Sequence, residues 1–339
     1  MHDTHGTLNR DFTLTPEWVA KLTGGKVHPG AKPATDLHWD SRKVGPGTAF
    51  FALPGAKAHG REYALGALEQ GASFVVTDEA LPGAVQVAKP EHALIAVGRA
   101  LRDRFDGQVL AVGGSSGKTT TKECLARGLD WPAPEGNLNN APGLARFFLH
   151  LENTQGTVVE LGIDRLLEMA ELTYMARPDF AVMTSIGVEH LDGLGNLENV
   201  VREESWLLQT SPLRLASMQA AETVNVPKLK TYGIEAGDFQ AKNVQFTLET
   251  SRFSYGRHKV TLPYPGVGPT MGAVAALAAE RAEAEDLEKL EGLLKQQKEA
   301  TKDLHKFLEL DLSFHKALAE CAHNGLLVEV LQLLVVELR

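Results

Sequence analysis

The sequence predicts an α/β protein in three parts. These are a small N-terminal α/β domain over residues 1–106, a central parallel-sheet domain with a phosphate loop over 107–280, and an all-helical segment over 281–339. Three observations carry this reading. Continuous apolar runs such as TAFFAL, SFVVTD, QVLAV and TVVEL alternate with stretches of helical spacing, as parallel strands covered by helices do. A Gly-rich turn stands between one of those strands and a helix-forming segment, at residues 113–118. Beyond Glu280 proline disappears and glycine becomes rare, so the composition turns helical.

Each element follows in order. From Asp36 to Asp78 the pattern is strand, turn, strand, helix, strand, with EYALGALEQGA as a helix closed by Gly71. Leu81 to Ala93 is rich in Pro, Gly and Ala and reads as a change of composition before a helix near Leu94 to Phe105. A boundary is expected near Gly107. The runs QVLAV, TVVEL and FAVMTSI are the expected strands of the central sheet. Gln209 to Pro265, with segments such as NVQFTLETSRFSYG and HKVTLPY, predicts antiparallel hairpins at an edge, and GPTMGAVAAL opens an Ala-rich helix.

With 34 basic and 43 acidic residues the formal charge is −9, which argues against a general nucleic-acid binder. Hydrophobic residues at 43% and charged residues at 23% are ordinary for a folded globular chain. The two cysteines, Cys124 and Cys321, are far apart and outside any CxxC spacing, so they read as reduced thiols. The N-terminus lacks a signal-like apolar core and no apolar run is long enough to span a bilayer, so the expected location is cytoplasmic.

The strongest motif is AVGGSSGKTTTKE at residues 111–123. Gly114 and Gly117 admit phosphate oxygens close to the backbone, the helix N-terminus supplies positive potential, and Lys118 adds a point charge. With Ser115, Ser116, Thr119 and Thr120 these residues form the expected nucleotide-binding loop, and Thr119 is the expected magnesium ligand. The spacing is GxxGKT, since Val112 stands where a full phosphate loop has its first glycine. EGNLNNAPG at 135–143 places Asn137, Asn139 and Asn140 in one short loop, which reads either as a plain turn or as a polar ligand site. Glu160 and His190 follow strand-like runs, at the carboxyl ends where open α/β sheets bind ligands; each reads as a metal ligand or as a local hydrogen-bond partner.

In order, DSR, GGSSGKTTTKE, GNLNN, VVELG and SIGVEHLDGLG resemble the Mur ligases, ATP-dependent enzymes that add amino acids to the cell-wall precursor peptide. GNLNN at 136–140 resembles the member that joins D-Ala-D-Ala to UDP-MurNAc-tripeptide. The resemblance covers about residues 36–280. It implies that the precursor carboxylate attacks the γ-phosphate of ATP and that the D-Ala-D-Ala amine then displaces phosphate from the acyl phosphate. Lys118, Glu160 and His190 would be the catalytic residues, Mg²⁺ would be held by Thr119, Glu160 and, for a second ion, His190, and Ser41 and Arg42 would hold the UDP end. Asn137, Asn139 and Asn140 would lie near the reacting end.

Three departures from the family pattern stand out. Glu204 occupies the place of a lysine that the family often carries as a carbamate, so its carboxylate would serve as a metal ligand directly. Gly272 replaces an asparagine that helps to hold nucleotide. The family's carboxy-terminal α/β domain is not found, and the 59 residues after 280 are expected to leave the activity impaired. Those residues, through EDLEKLEGLL and ELDLSFHKALAECAHN, resemble part of the ligand-sensing FCD domain of GntR-type regulators. Asp311 and His315 would then form a separate metal or effector site; an i, i+4 pair beside an apolar stripe also suits a structural or partner-bound role. No winged-helix domain is visible. The alternative function is a non-catalytic nucleotide-binding or ligand-sensing chimera, with the C-terminal helices forming a dimer.

Overall fold

The computed structural model describes residues 12–55, 58–136, 138–262 and 266–279. They fall into two compact units, divided in sequence between Leu229 and Lys230.

The first unit begins with α1 (Pro16–Thr23), capped by the Thr15 hydroxyl and ended by Gly24 at φ 66°. Next come β1 (Lys26–Val27), β2 (Asp36–His38), β3 (Thr48–Phe51), α2 (Ala64–Glu69), β4 (Phe74–Thr77) and β5 (Ala84–Gln86). They build a five-stranded sheet of order β1-β5-β4-β3-β2, parallel except for β1. Every residue of β3 and β4 is buried, which accounts for the unbroken apolar runs of TAFF and FVVT. Strand β5 lies inside the Pro/Gly/Ala-rich stretch, where punctuating residues hide a strand of only three residues.

Helix α3 (Pro90–Arg102) starts four residues earlier than the sequence predicts, because Pro90 sits in its first turn, where its missing N–H costs nothing. Then follow β6 (Gln108–Gly113), α4 (Lys118–Leu129), α5 (Ala141–His150), β7 (Gly156–Glu160), α6 (Glu168–Ala176), β8 (Phe180–Met183), α7 (Leu191–Leu194), α8 (Leu197–Thr210), β9 (Leu213–Ser217) and α9 (Met218–Ala221). Strands β9, β8, β6 and β7 lie side by side in that order and are all parallel. One apolar core runs from Phe51 and Val76 through Val97 to Ala111 and Val159, so the expected boundary near Gly107 falls inside this unit.

Buried Arg102 fastens the junction. Its guanidinium donates to the carbonyls of Ala176 and Phe105 and to Asp179, whose carboxylate also accepts the Val109 N–H. The fixed N–H donors of a buried guanidinium need acceptors, and here the turn after α3, the end of α6 and the Asp179 side chain just before β8 supply them.

The second unit contains β10 (Lys230–Ile234), β11 (Phe239–Phe246), β12 (Ser251–Tyr255), β13 (His258–Leu262) and a helix over 267–279. β10 and β11 are parallel, whereas β11–β12 and β12–β13 are antiparallel, the last pair closed by a tight turn with Gly256 at φ 54°. The antiparallel reading of 209–265 therefore applies from β11 onward only. β9 belongs to the parallel sheet, because the run LRLAS pairs with β8. The segment 281–339, with Asp311 and His315, lies outside the described residues. No helix among the described residues is long and apolar enough to cross a membrane.

Candidate active site

Gly113 ends β6 and the loop Gly114–Gly117 turns the chain into α4. Gly114 (φ 120°) and Gly117 (φ 84°) hold backbone conformations that side chains rarely adopt, and a Cβ on Gly114 would lie 2.6 Å from the Ser185 carbonyl oxygen. The loop is stitched to the chain after β8. Ser115 N–H donates to the Ser185 carbonyl (2.8 Å), Ser116 N–H to Ser185 Oγ (2.9 Å), and Ser115 Oγ to the Gly187 carbonyl (3.0 Å). The amides of Ser115 and Ser116 are thus held by the protein itself. The first turn of α4, from Lys118 through Thr119 and the exposed Thr120, has no side-chain cap and presents its N–H groups to an anion.

The Lys118 ammonium donates to the Gly114 carbonyl at 2.5 Å and lies 3.5 Å from Glu189 Oε2. Thr119 Oγ1 donates to Glu160 Oε2 at 2.8 Å, while Asn139 Nδ2 donates to Glu160 Oε1 at 2.9 Å. Glu160, at the end of β7 and 4% exposed, therefore joins the phosphate loop to the Asn loop. Gly162 N–H donates to the Asn139 carbonyl, and a Cβ on Gly162 would come within 2.6 Å of the Asn139 amide nitrogen. Asn140 caps α5 through its side-chain oxygen on Gly143 N–H (3.1 Å). The Asn loop is thus a turn that caps α5 through Asn140 and reaches Glu160 through Asn139. Asn137 lies outside the described residues.

His190 precedes α7 in a left-handed conformation (φ 45°), is half-exposed, and its Nδ1 lies 2.8 Å from Asp164 Oδ1. Glu189 Oε2 is 3.9 Å from His190 Nε2. Glu204 on α8 is fully buried against Gly113, and as carboxylates neither its two oxygens nor Glu189 Oε1 have a hydrogen-bond partner. Burial raises the Glu204 carboxyl to about 8, opposed by the Lys118 charge and reinforced by the Glu189 carboxylate. Ser41 and Arg42 sit in a short 3-10 turn after β2, where exposed Arg42 makes a bidentate pair with Asp40 and holds its carboxyl down at about 2.

Magnesium favours oxygen ligands, and is usually bound by one or two carboxylates together with substrate phosphates. Thr119 Oγ1 and Glu160 Oε2, in contact beside the open helix N-terminus, fit that requirement, and the unpartnered buried oxygens of Glu204 and Glu189 add acceptors that a cation would satisfy. Among the described residues no three His, Cys, Asp or Glu side chains are grouped into a metal site by themselves. Asp164, Ser185 and Glu189 are absent from the sequence reading. Their roles arise from contacts between segments far apart in the chain, and only Glu189, adjacent to His190 in VEH, had a sequence cue.

Comparison with known proteins accords with this arrangement. Residues 35–102 match the model of the Mur ligase family catalytic domain, and residues 112–280 that of the Mur ligase middle domain. Across these residues the chain belongs to the Mur ligase family. Residues 272–339 match the FCD domain, overlapping the middle-domain match over 272–280. The UDP-N-acetylmuramoyl-tripeptide–D-alanyl-D-alanine ligase of Haemophilus influenzae is 30% identical over 266 residues, covering 71% of this chain and 58% of that protein. A crystal structure of MurF from Acinetobacter baumannii superposes with a TM-score of 0.71 at 25% identity, over 80% of this chain and 65% of that one. The fold is shared also with the MurF ligase of Thermotoga maritima in complex with ADP, with a TM-score of 0.63 at 24% identity over 75% of this chain and 63% of that one. The chain thus spans less than two thirds of the length of each. Its Mur ligase segment carries both the phosphate loop and the Asn loop.

Proposed function

We propose that this chain uses ATP to activate the terminal carboxylate of UDP-MurNAc-tripeptide as an acyl phosphate and joins it to D-Ala-D-Ala. The observation that carries this reading is Glu160, bonded at once to Thr119 of the phosphate loop and Asn139 of the Asn loop. That bond ties nucleotide chemistry to a second polar subsite, as a ligase needs and a simple nucleotide hydrolase does not. The D-Ala-D-Ala ligases among its relatives support the substrate choice.

Lys118 leaves the Gly114 carbonyl for the transferred phosphoryl group, where its charge and the first-turn amides of α4 offset developing negative charge. Bound Mg²⁺, held by Thr119 and Glu160 with His190 and Glu204 nearby, would polarise the γ-phosphate. Gly114, Ser115, Ser116 and Gly117 shape the cradle, and Thr120 lines its exposed edge. Asn137, Asn139 and Asn140 orient the precursor end, while Ser41 and Arg42 hold its uridine diphosphate. Residues 1–106 thus bind the UDP end, 107–280 carry the chemistry, and the reaction belongs in the cytoplasm.

Phosphate release from ATP and Mg²⁺ tests the proposal, with precursor and D-Ala-D-Ala added singly and together and Lys118→Ala as control. Release that needs both substrates and vanishes in Lys118→Ala is expected. The impairment expected from the sequence is read in the same assay, as phosphate release that outruns peptide product. Release indifferent to the precursor would sink the ligase reading.

The FCD match favours a second reading, a non-catalytic ligand-sensing protein that dimerises through residues after 280. It requires Asp311→Ala or His315→Ala to change oligomeric state or metal content while Lys118→Ala leaves every measured property intact.

A further inference from the structure

Lys122, one helical turn beyond Lys118 in α4, is 1% exposed, yet its ammonium is fully engaged. It donates to the carbonyls of Pro134 (2.7 Å) and Gly136 (3.1 Å) and lies 3.3 Å from Glu123 Oε1. An apolar side chain of similar length would fill the space without the cost of burying a charge, so the position is unusual for a residue that only packs. Its two carbonyl partners lie in the segment between α4 and α5, which has no regular secondary structure to hold it.

Among the described residues, the remaining anchors of that segment are at its ends. The Pro132 carbonyl accepts from Val158 N–H and Thr157 Oγ1, while Asn139 is held by Glu160 and Gly162. Between those ends, the hydrogen bonds that residues 133–136 make among the described residues come from Lys122. Gly136, at φ 59°, turns the chain directly beneath the bond it receives. We infer that Lys122 is a positioning residue: it fixes the Asn loop to the phosphate helix, so that nucleotide and precursor meet in one geometry. This deepens the ligase reading and rests on it for the identity of the precursor, whereas the coupling of α4 to the loop stands on the hydrogen bonds alone.

The test uses the full chain with Lys122→Met, which keeps the stem and removes the donors, and Lys122→Arg, which restores donors. Amide exchange of residues 133–140 is expected to quicken about tenfold in Lys122→Met, as loss of charge-assisted bonds allows, while residues 108–113 stay protected. The Kd of UDP-MurNAc-tripeptide weakens about tenfold and that of ADP changes less than about threefold, with Lys122→Arg between wild type and Lys122→Met. Unchanged exchange in 133–140, or nucleotide and precursor affinity weakening together, overturns the inference. If Lys122→Met does not fold, Lys122→Gln takes its place; failure of all three variants to fold overturns it in favour of a purely structural ammonium. Should the wild-type chain bind ADP and not the precursor, the ligase reading falls, and exchange in 133–140 alone decides the role of Lys122.

Discussion

Gly193 shows how tightly His190 is placed. A Cβ there would overlap the Asp164 carbonyl oxygen, and the Asp164 side chain is the group that holds His190 Nδ1. Gly193→Ala is expected to push the 164–167 loop away, costing about 1–3 kcal/mol by overpacking. Thermal unfolding reads the loss; a Tm equal to wild type would contradict the contact. Glu204 makes a sharper prediction. Its folded-state value of about 8 lies above the ordinary 4.5, so the destabilisation from its buried charge grows as pH rises between those values and is complete above them. Without divalent cations Glu204→Gln should therefore raise Tm at pH 9 and have little effect at pH 4, measured across the series. An equal shift at every pH would show that the carboxyl stays neutral.

Among the elements, two charged hubs decide how helices sit on sheets. Arg102 ties α3 to α6 and to the start of β8, and Arg102→Leu would strand the Asp179 carboxylate and three carbonyls, for a loss of about 3–5 kcal/mol in urea unfolding. Asp36 of β2 binds Arg146 and His150 of α5. Burial alone would raise its carboxyl, but the His150 and Arg146 bonds outweigh burial and hold it well below the usual carboxylate range. The stability this supplies is present above the ordinary carboxylate pKa and is lost as pH falls through and below it. Because the pair is partly exposed, Asp36→Asn should cost on the order of 1 kcal/mol at pH 7 and progressively less towards pH 2, read by denaturant midpoints. These hubs were not legible in the sequence. Arg102, Asp36 and Arg146 resemble any surface charges until the chain brings distant segments together. The strands β3, β4, β6, β7 and β8 were legible, because burial on both faces leaves a continuous apolar run, whereas short β1 and β5 leave none.

For the whole molecule, what could be read in advance follows the range of the interactions. The phosphate loop is local chemistry in consecutive residues, and Lys118, Thr119 and Gly117 stand where their spacing places them. The Asn loop was half legible: its amides announce a polar turn, but the inward bond of Asn139 to Glu160 depends on residues twenty-one apart. Asp164 and Lys122 gave no signal, since a buried lysine is indistinguishable in sequence from a solvated one. Taken together, the described residues join a phosphate loop, a metal-suited Thr119–Glu160 pair and an Asn loop at the carboxyl ends of β6 and β7. The central claim is that this assembly makes an acyl phosphate. The most direct measurement supplies UDP-MurNAc-tripeptide carrying ¹⁸O in its terminal carboxylate, with ATP, Mg²⁺ and D-Ala-D-Ala, and follows the label. Attack on the γ-phosphate followed by amine displacement transfers one ¹⁸O to each phosphate released and leaves the other in the new amide. Phosphate free of ¹⁸O, with both labels retained in the precursor, would mean that water is the nucleophile and would contradict the account.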